Sequence, residues 1–314
     1  MKASLLFALA LGAAAVAQAH AQPAAPAQAA PANRFAATIA PSERFESGPL
    51  LVERHGSKGR TIILVPGLAS GPWVWQEVIR QLKDEFTLYV VTLPGFDGRP
   101  APAGPAFEGA RSALRDLIAQ RKLAKPVIIG HSLGGILGYA VAADLGDGIG
   151  GVVALDGLPV FPGTENMPPE QRPQAAQGVR QRMATGNPDA WVAQQHQYMR
   201  GQGVLDIGKA DDIAKLALKS DRESVGSYVA DVLALDLRPE LSKITAPVLV
   251  VAPFYQYDSA QDAMTVGDKV EHYRMLVERI PSVEVVPVAP ARHFLMIDQP
   301  LALAGILRRY LDRR

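Results

Sequence analysis

The sequence predicts an α/β fold in which a mostly parallel sheet is flanked on both faces by helices. Two observations carry this: compact Val/Ile/Leu-rich runs with little polar alternation, and amphipathic stretches between them. The runs are Thr61 to Val65, Thr87 to Val91, Pro126 to Ile129, Val152 to Leu155, Pro247 to Val251 and Val283 to Val286. A strand covered on both faces has no polar side to show, so it reads as continuous apolar sequence. The intervening helix candidates are Trp73 to Lys83, Phe107 to Arg121, Leu133 to Leu145, about Asp268 to Ile280, and Leu301 to Leu311. Their regular alternation with the strands defines a doubly wound sheet. One interval breaks the rhythm. Pro159 to about Arg238 holds Pro-punctuated, helix-favouring sequence, read as an inserted helical cap at about 159–238. Within it, Pro188 to Met199 places Trp191, Gln195, Tyr198 and Met199 near one side of a helix. Packing against the main domain and lining a pocket both fit that spacing.

The chain of 314 residues suits one domain with an insertion. Its start has the order of a secretory signal peptide: Lys2, an apolar stretch from Leu5 to Val16, then small residues to Ala21. Residues 1–21 are therefore expected to be removed on export, to the periplasm or beyond. A permanent membrane span needs about 20 apolar residues, and this stretch is shorter. Residues 22–40, rich in Ala, Pro and Gln, are expected to be a flexible linker, and 41–314 the folded domain. Losing Lys2 from 32 basic residues against 31 acidic ones leaves the mature chain formally neutral. That balance gives no electrostatic case for nucleic acid. With no cysteine in the chain, disulfides, thiolate nucleophiles and zinc–cysteine sites are excluded. Oligomeric state has no signature here.

The chemistry centres on Gly130-His131-Ser132-Leu133-Gly134-Gly135, between a strand candidate and a helix candidate. This is G-x-S-x-G in the strand–turn–helix setting where a serine stands on a sharp turn and small neighbours let backbone approach it. The helix N-terminus beneath it favours developing negative charge. On these residues the chain resembles the α/β-hydrolase superfamily from about residue 45 to the end. The resemblance implies a serine nucleophile, an oxyanion loop after an early strand, an acid after a later strand and a histidine near the end. Leu64-Val65-Pro66-Gly67-Leu68-Ala69 is similar to the family's His-Gly-x loop, with Pro66 in place of the usual histidine. The oxyanion hole is then expected from the backbone N–H groups of Leu68 and Leu133, where side-chain identity matters little. The Pro66-Gly67 pair would equally make an ordinary strand-ending turn.

Among the six histidines, His293 lies in the loop Pro290-Ala291-Arg292-His293-Phe294 before the final helix, where the resemblance places the general base. His20 falls beside the cleavage point and His55 beside Gly56 in a hairpin turn, so both read as solvated. His131 is expected to point away from the attacking side and to orient. His196 and His272 fall on helices without a matching acid. For the acid, Asp258 follows the strand Pro247 to Val251, and the order Ser132, Asp258, His293 matches the superfamily. The loop carrying it is about two residues longer than the common Gly-x-x-Asp form. Asp156, after Val152 to Leu155, is the rival, since some relatives carry the acid there. Asp262 and Asp298 rank below both, Asp298 reading as a cap of the final helix.

The reading is an exported ester hydrolase working through an acyl-serine, with Ser132, Asp258 and His293 catalytic and no cofactor or metal. No H-E-x-x-H, P-loop or dinucleotide fingerprint is present. Leu68, Leu133, Trp73, Tyr255 and Tyr257 would suit an uncharged ester if they converge. Amide, lactone or carbon–carbon bond hydrolysis, and a non-catalytic ligand-binding role on the same scaffold, are the alternatives.

Overall fold

The computed structural model describes residues 33–258 and 263–313. The signal segment 1–21, most of the linker and Asp262 lie outside the described residues. Eight strands form one sheet in the order β1-β2-β4-β3-β5-β6-β7-β8. β3 (Thr61–Val65), β4 (Thr87–Thr92), β5 (Val127–His131), β6 (Gly151–Leu155), β7 (Val248–Pro253) and β8 (Val283–Val288) run parallel. Every residue of β5, β6 and β7 is buried, the physical origin of their continuous apolar sequence.

β1 (Glu43–Ser47) and β2 (Leu50–His55) form an antiparallel hairpin at one edge, and β2 also runs antiparallel to β4. Neither strand is among those expected from the apolar runs, which begin at Thr61. β1 alternates half-buried and exposed positions in Glu43-Arg44-Phe45-Glu46, the charged pattern that protects a sheet edge. His55, expected in a solvated turn, is instead the last residue of β2 and is 2% exposed. Its Nε2 lies 3.7 Å from Glu53.

Helices α1 (Gln76–Leu82), α2 (Ala106–Gln120) and α3 (Leu133–Leu145) follow β3, β4 and β5. α3 is buried from Leu133 through Ala142. Its glycines let it lie close to the sheet: a Cβ on Gly138 would stand 3.1 Å from Val152 Cγ1.

Between β6 and β7 the chain forms α4 (Arg172–Thr185), α5 (Pro188–Tyr198), a π-helical turn Met199–Gly203, α6 (Ile207–Ala217) and α7 (Arg222–Ala234). The base of this excursion is closed by a bridge between Val160 and Asp236 and by Leu237 N–H donating to the Pro159 carbonyl at 2.9 Å. The nearly buried Arg172 guanidinium spans the same base, donating to carbonyls of Thr164, Leu233 and Leu235. α8 (Val266–Val277) leads to β8, and α9 (Leu295–Asp298) and α10 (Pro300–Asp312) end the fold. No described helix is long and apolar enough to cross a membrane.

The end of the expected linker departs from a free tether. Over residues 33–40, Phe35 and Ile39 pack against the core. Asn33 Nδ2 donates to the Asp212 carbonyl at 2.7 Å, and the Thr38 and Ile39 N–H groups donate to Gln76 Oε1. Two bulky apolar side chains in an Ala-rich stretch supply enough buried area to hold the segment down.

Candidate active site

Ser132 sits between β5 and α3 at φ 51° and ψ −118°, a left-handed conformation that costs a non-glycine residue about 1–3 kcal/mol. The surroundings enforce it. Ser132 N–H donates to the Leu155 carbonyl at 2.9 Å, while its own carbonyl accepts from Gly135 and Ile136 to start α3. The flanking glycines are sterically required: a Cβ on Gly130 would stand 2.1 Å from the Gly134 carbonyl oxygen, and one on Gly134 would stand 2.1 Å from that of Val65. A Cβ on Gly67 would lie 2.6 Å from His131 Nδ1 and 3.1 Å from Ser132 Cβ, so the Pro66-Gly67 loop packs directly on the turn.

Ser132, Asp156 and His293 open onto one cavity of about 1010 Å³. Leu68 and Leu133 line it too, and neither amide donates to a backbone carbonyl among the described residues.

The carboxylate that meets His293 is Asp156 and not Asp258. His293 Nδ1 lies 2.6 Å from Asp156 Oδ2. The other oxygen, Oδ1, accepts the Tyr273 hydroxyl. Asp156, itself at φ 49°, follows β6 directly, and its N–H donates to the Val251 carbonyl at 3.0 Å. Burial pushes its carboxyl pKa up, but the His293 hydrogen bond and charge, the Tyr273 hydroxyl and the nearby Lys269 together hold it below the usual value. It is thus ionised at neutral pH.

Asp258 is drawn elsewhere because Arg292, next to His293 in sequence, offers a planar fork. Arg292 Nε and Nη2 donate to the two Asp258 oxygens at 2.8 and 2.7 Å. Arg292 Nη1 reaches on to the carbonyls of Arg200 and Val204. Asp298 accepts the N–H groups of Arg292 and Leu205, and His293 and Phe294 N–H donate to the Gln202 and Gly203 carbonyls. The histidine loop is therefore stitched to the π-helical turn of the insertion, a connection no sequence pattern announced.

His131 has the orienting geometry expected of it. Its ring is fully buried, lies 4.5 Å from the His293 ring centre, and pairs its Nε2 with the His293 carbonyl at 3.0 Å. Burial, then the neighbouring His293, pushes its pKa down to about 3, so the ring is neutral and Nε2–H is the donor. Stability should therefore fall as pH drops from 6.5 towards 3, where the unfolded chain takes up a proton that folded His131 refuses. The His131→Gln variant should lose that component, giving a flatter curve of Tm against pH below 6.5. An unchanged acid slope would count against this account.

His196, expected to lack an acid, has Nδ1 2.8 Å from Asp211 Oδ1. Arg200 shares that carboxylate, and none of the three residues lines the cavity that holds Ser132. Of the residues expected to wall a pocket, Leu68, Leu133 and Tyr255 line the cavity. Trp73 is buried against Phe294 instead, and Tyr257 is 77% exposed. Trp191, Gln195, Tyr198 and Met199 all line the cavity, so their shared helix side has a pocket to face. Tyr198 meets the His293 ring edge-on.

A serine on a strained turn, a half-buried histidine–carboxylate pair and this strand order define the class of an α/β-hydrolase. The alpha/beta hydrolase family model matches residues 62–306, and the chain belongs to that family. It is 26% identical over 263 residues to the pimeloyl-[acyl-carrier protein] methyl ester esterase of Chromobacterium violaceum, covering 84% of this chain and 98% of that one. It is 24% identical to the biotin biosynthesis bifunctional protein BioHC of Cellvibrio japonicus, covering 80% of this chain but only 47% of that protein. Among solved structures, the enol-lactonase of Burkholderia xenovorans LB400 superposes with a TM-score of 0.67 at 20% identity, over 84% of this chain and 96% of that one.

Proposed function

We propose that the protein is an exported serine hydrolase that cleaves carboxylic esters through an acyl-Ser132 intermediate. The observation that carries this is His293, oriented by a half-buried carboxylate, in one cavity with a serine held on a strained turn. The Nδ1–H···Asp156 bond fixes the tautomer that leaves Nε2 as the acceptor. In this reading Nε2 takes the Ser132 proton as Oγ attacks the acyl carbon. The oxyanion is held by the N–H groups of Leu68 and Leu133, and Asp156 stabilises the imidazolium. His293 returns the proton to the departing alcohol. It then deprotonates water, which attacks the acyl carbon and releases the acid and Ser132. Esters rank first because an alkoxide leaving group demands less protonation than an amine. The methyl ester esterase name of the relative from Chromobacterium violaceum supports the same choice. Export rests on residues 1–21.

Chain expressed from Met1 in a secreting host should be recovered outside the cytoplasm with Gln22 first, be labelled at Ser132 by a fluorophosphonate, and release p-nitrophenol from short acyl esters. Folded protein that is neither labelled nor active would remove the hydrolase reading.

A further inference from the structure

We infer that the cavity takes an ester bearing a second, anionic group, held at the end formed by α4 and α7; this rests on the proposed ester hydrolysis at Ser132. Six charged side chains other than histidine line the cavity: Asp156, Asp258, Arg182, Arg222, Lys269 and Arg292. Both carboxylates are committed, Asp258 to Arg292 and Asp156 to His293 and Tyr273. Lys269 has Nζ 4.9 Å from the Tyr273 ring centre and so belongs to the catalytic end. Arg182 and Arg222 remain, and neither has a carboxylate within ion-pairing distance among the described residues. In a chain whose charges otherwise balance, this is a local excess of positive charge, from an exposed Arg182 and a half-buried Arg222, at the rim beside Met183, Val225 and Val229.

The hydrogen-bond accounting at that end points the same way. Arg182, Gly186, Asn187 and Arg222 all line the cavity, and three acceptors there each already take one internal donor. The Arg182 carbonyl accepts from Gly186 N–H at 2.9 Å. The Gly186 carbonyl accepts from Arg222 Nη1 at 2.6 Å, and Asn187 Oδ1 accepts from Asp189 N–H at 2.9 Å. Donors remain: the Asn187 amide N–H groups, the Arg222 N–H groups not engaged with the Gly186 and Ala184 carbonyls, and the whole Arg182 fork, which folds back along α4 over Gly178. A corner where two guanidinium groups keep unpaired N–H donors matches a carboxylate, which only accepts. The uncharged ester expected from the sequence gives way to one with an ionised group remote from the scissile bond.

The test uses the Ser132→Ala variant of the full-length mature protein, so that binding is read without turnover. Two anionic probes, a monoester of a dicarboxylic acid and a butyrate ester of 4-hydroxybenzoate, place the charge on the acyl and alcohol sides respectively. Each is compared with its neutral counterpart of equal length. At least one anionic probe should bind about tenfold tighter than its counterpart, a step of the size that charged hydrogen bonds supply. That advantage should shrink at about 0.5 M salt and fall with Arg182→Gln, whose side chain has no hydrogen-bond partner among the described residues, and further with Arg222→Gln. Equal affinities for charged and neutral probes on both sides, or a ratio unmoved by both arginine changes, would overturn the subsite. Preferred binding of an anionic ester by a protein whose wild type neither turns over esters nor labels at Ser132 would retain the subsite and remove the hydrolysis.

Discussion

Ser132→Ala should lower kcat on p-nitrophenyl esters by at least about 10⁵-fold with a small change in KM, because the hydroxyl bonds to the acyl carbon only from the transition state onward. The fold should be unaffected. Removing one cavity-facing oxygen leaves the Ser132 N–H bond to Leu155 and both carbonyl bonds into α3 in place. The check is single-turnover and steady-state kinetics beside matching circular dichroism and Tm. A residual rate within about tenfold of wild type would mean that another group is the nucleophile, since loss of the attacking atom from such a unit is not partial.

Asp156→Asn should cost about 10⁴-fold in kcat, the scale seen when an amide replaces the acid and the imidazole is held in the wrong tautomer. The neutral amide can offer its NH2 group to His293 Nδ1, which turns the Nε2 acceptor into a donor at the position where the Ser132 proton must go. Asp258→Asn should cost far less. It weakens a bidentate pair with Arg292 whose carboxylate is 40% exposed, while the bonds from His293 and Phe294 to Gln202 and Gly203 remain. Tyr273→Phe should fall between them, because it strips one hydrogen bond from Asp156 and leaves the His293 bond intact. Kinetics on the three variants at one pH decide the matter. Equal losses for Asp156→Asn and Asp258→Asn, or the larger loss at Asp258, would refute the assignment.

The contrast between the two aspartates shows how far sequence reading reaches. Ser132 was legible because its turn needs Gly130 and Gly134 for steric reasons, and steric needs are written as residue types at fixed spacing. The inner strands were legible because burial on both faces removes polar residues. β1 was not, since a half-exposed edge alternates like any polar stretch, nor was β2, which lies inside the sheet yet ends in Glu53-Arg54-His55 and so lacks a continuous apolar run. His293 was placed by its position before the last helix, whereas the true partner of Asp258 was obscured by its neighbour: Arg292 and His293 are adjacent, and sequence order cannot say which of them a distant carboxylate meets.

By itself, then, the sequence determined the layered sheet and the turn that carries Ser132, because local sterics and burial act on neighbouring residues, while the resemblance to the superfamily singled out the loop that carries His293. Tertiary structure alone decided that Asp156 meets the imidazole, that Asp258 and Asp298 brace the loop through Arg292, and that Arg182 and Arg222 line one cavity with Ser132. Those outcomes depend on the direction in which side chains from separate elements converge, and a linear pattern holds no record of direction.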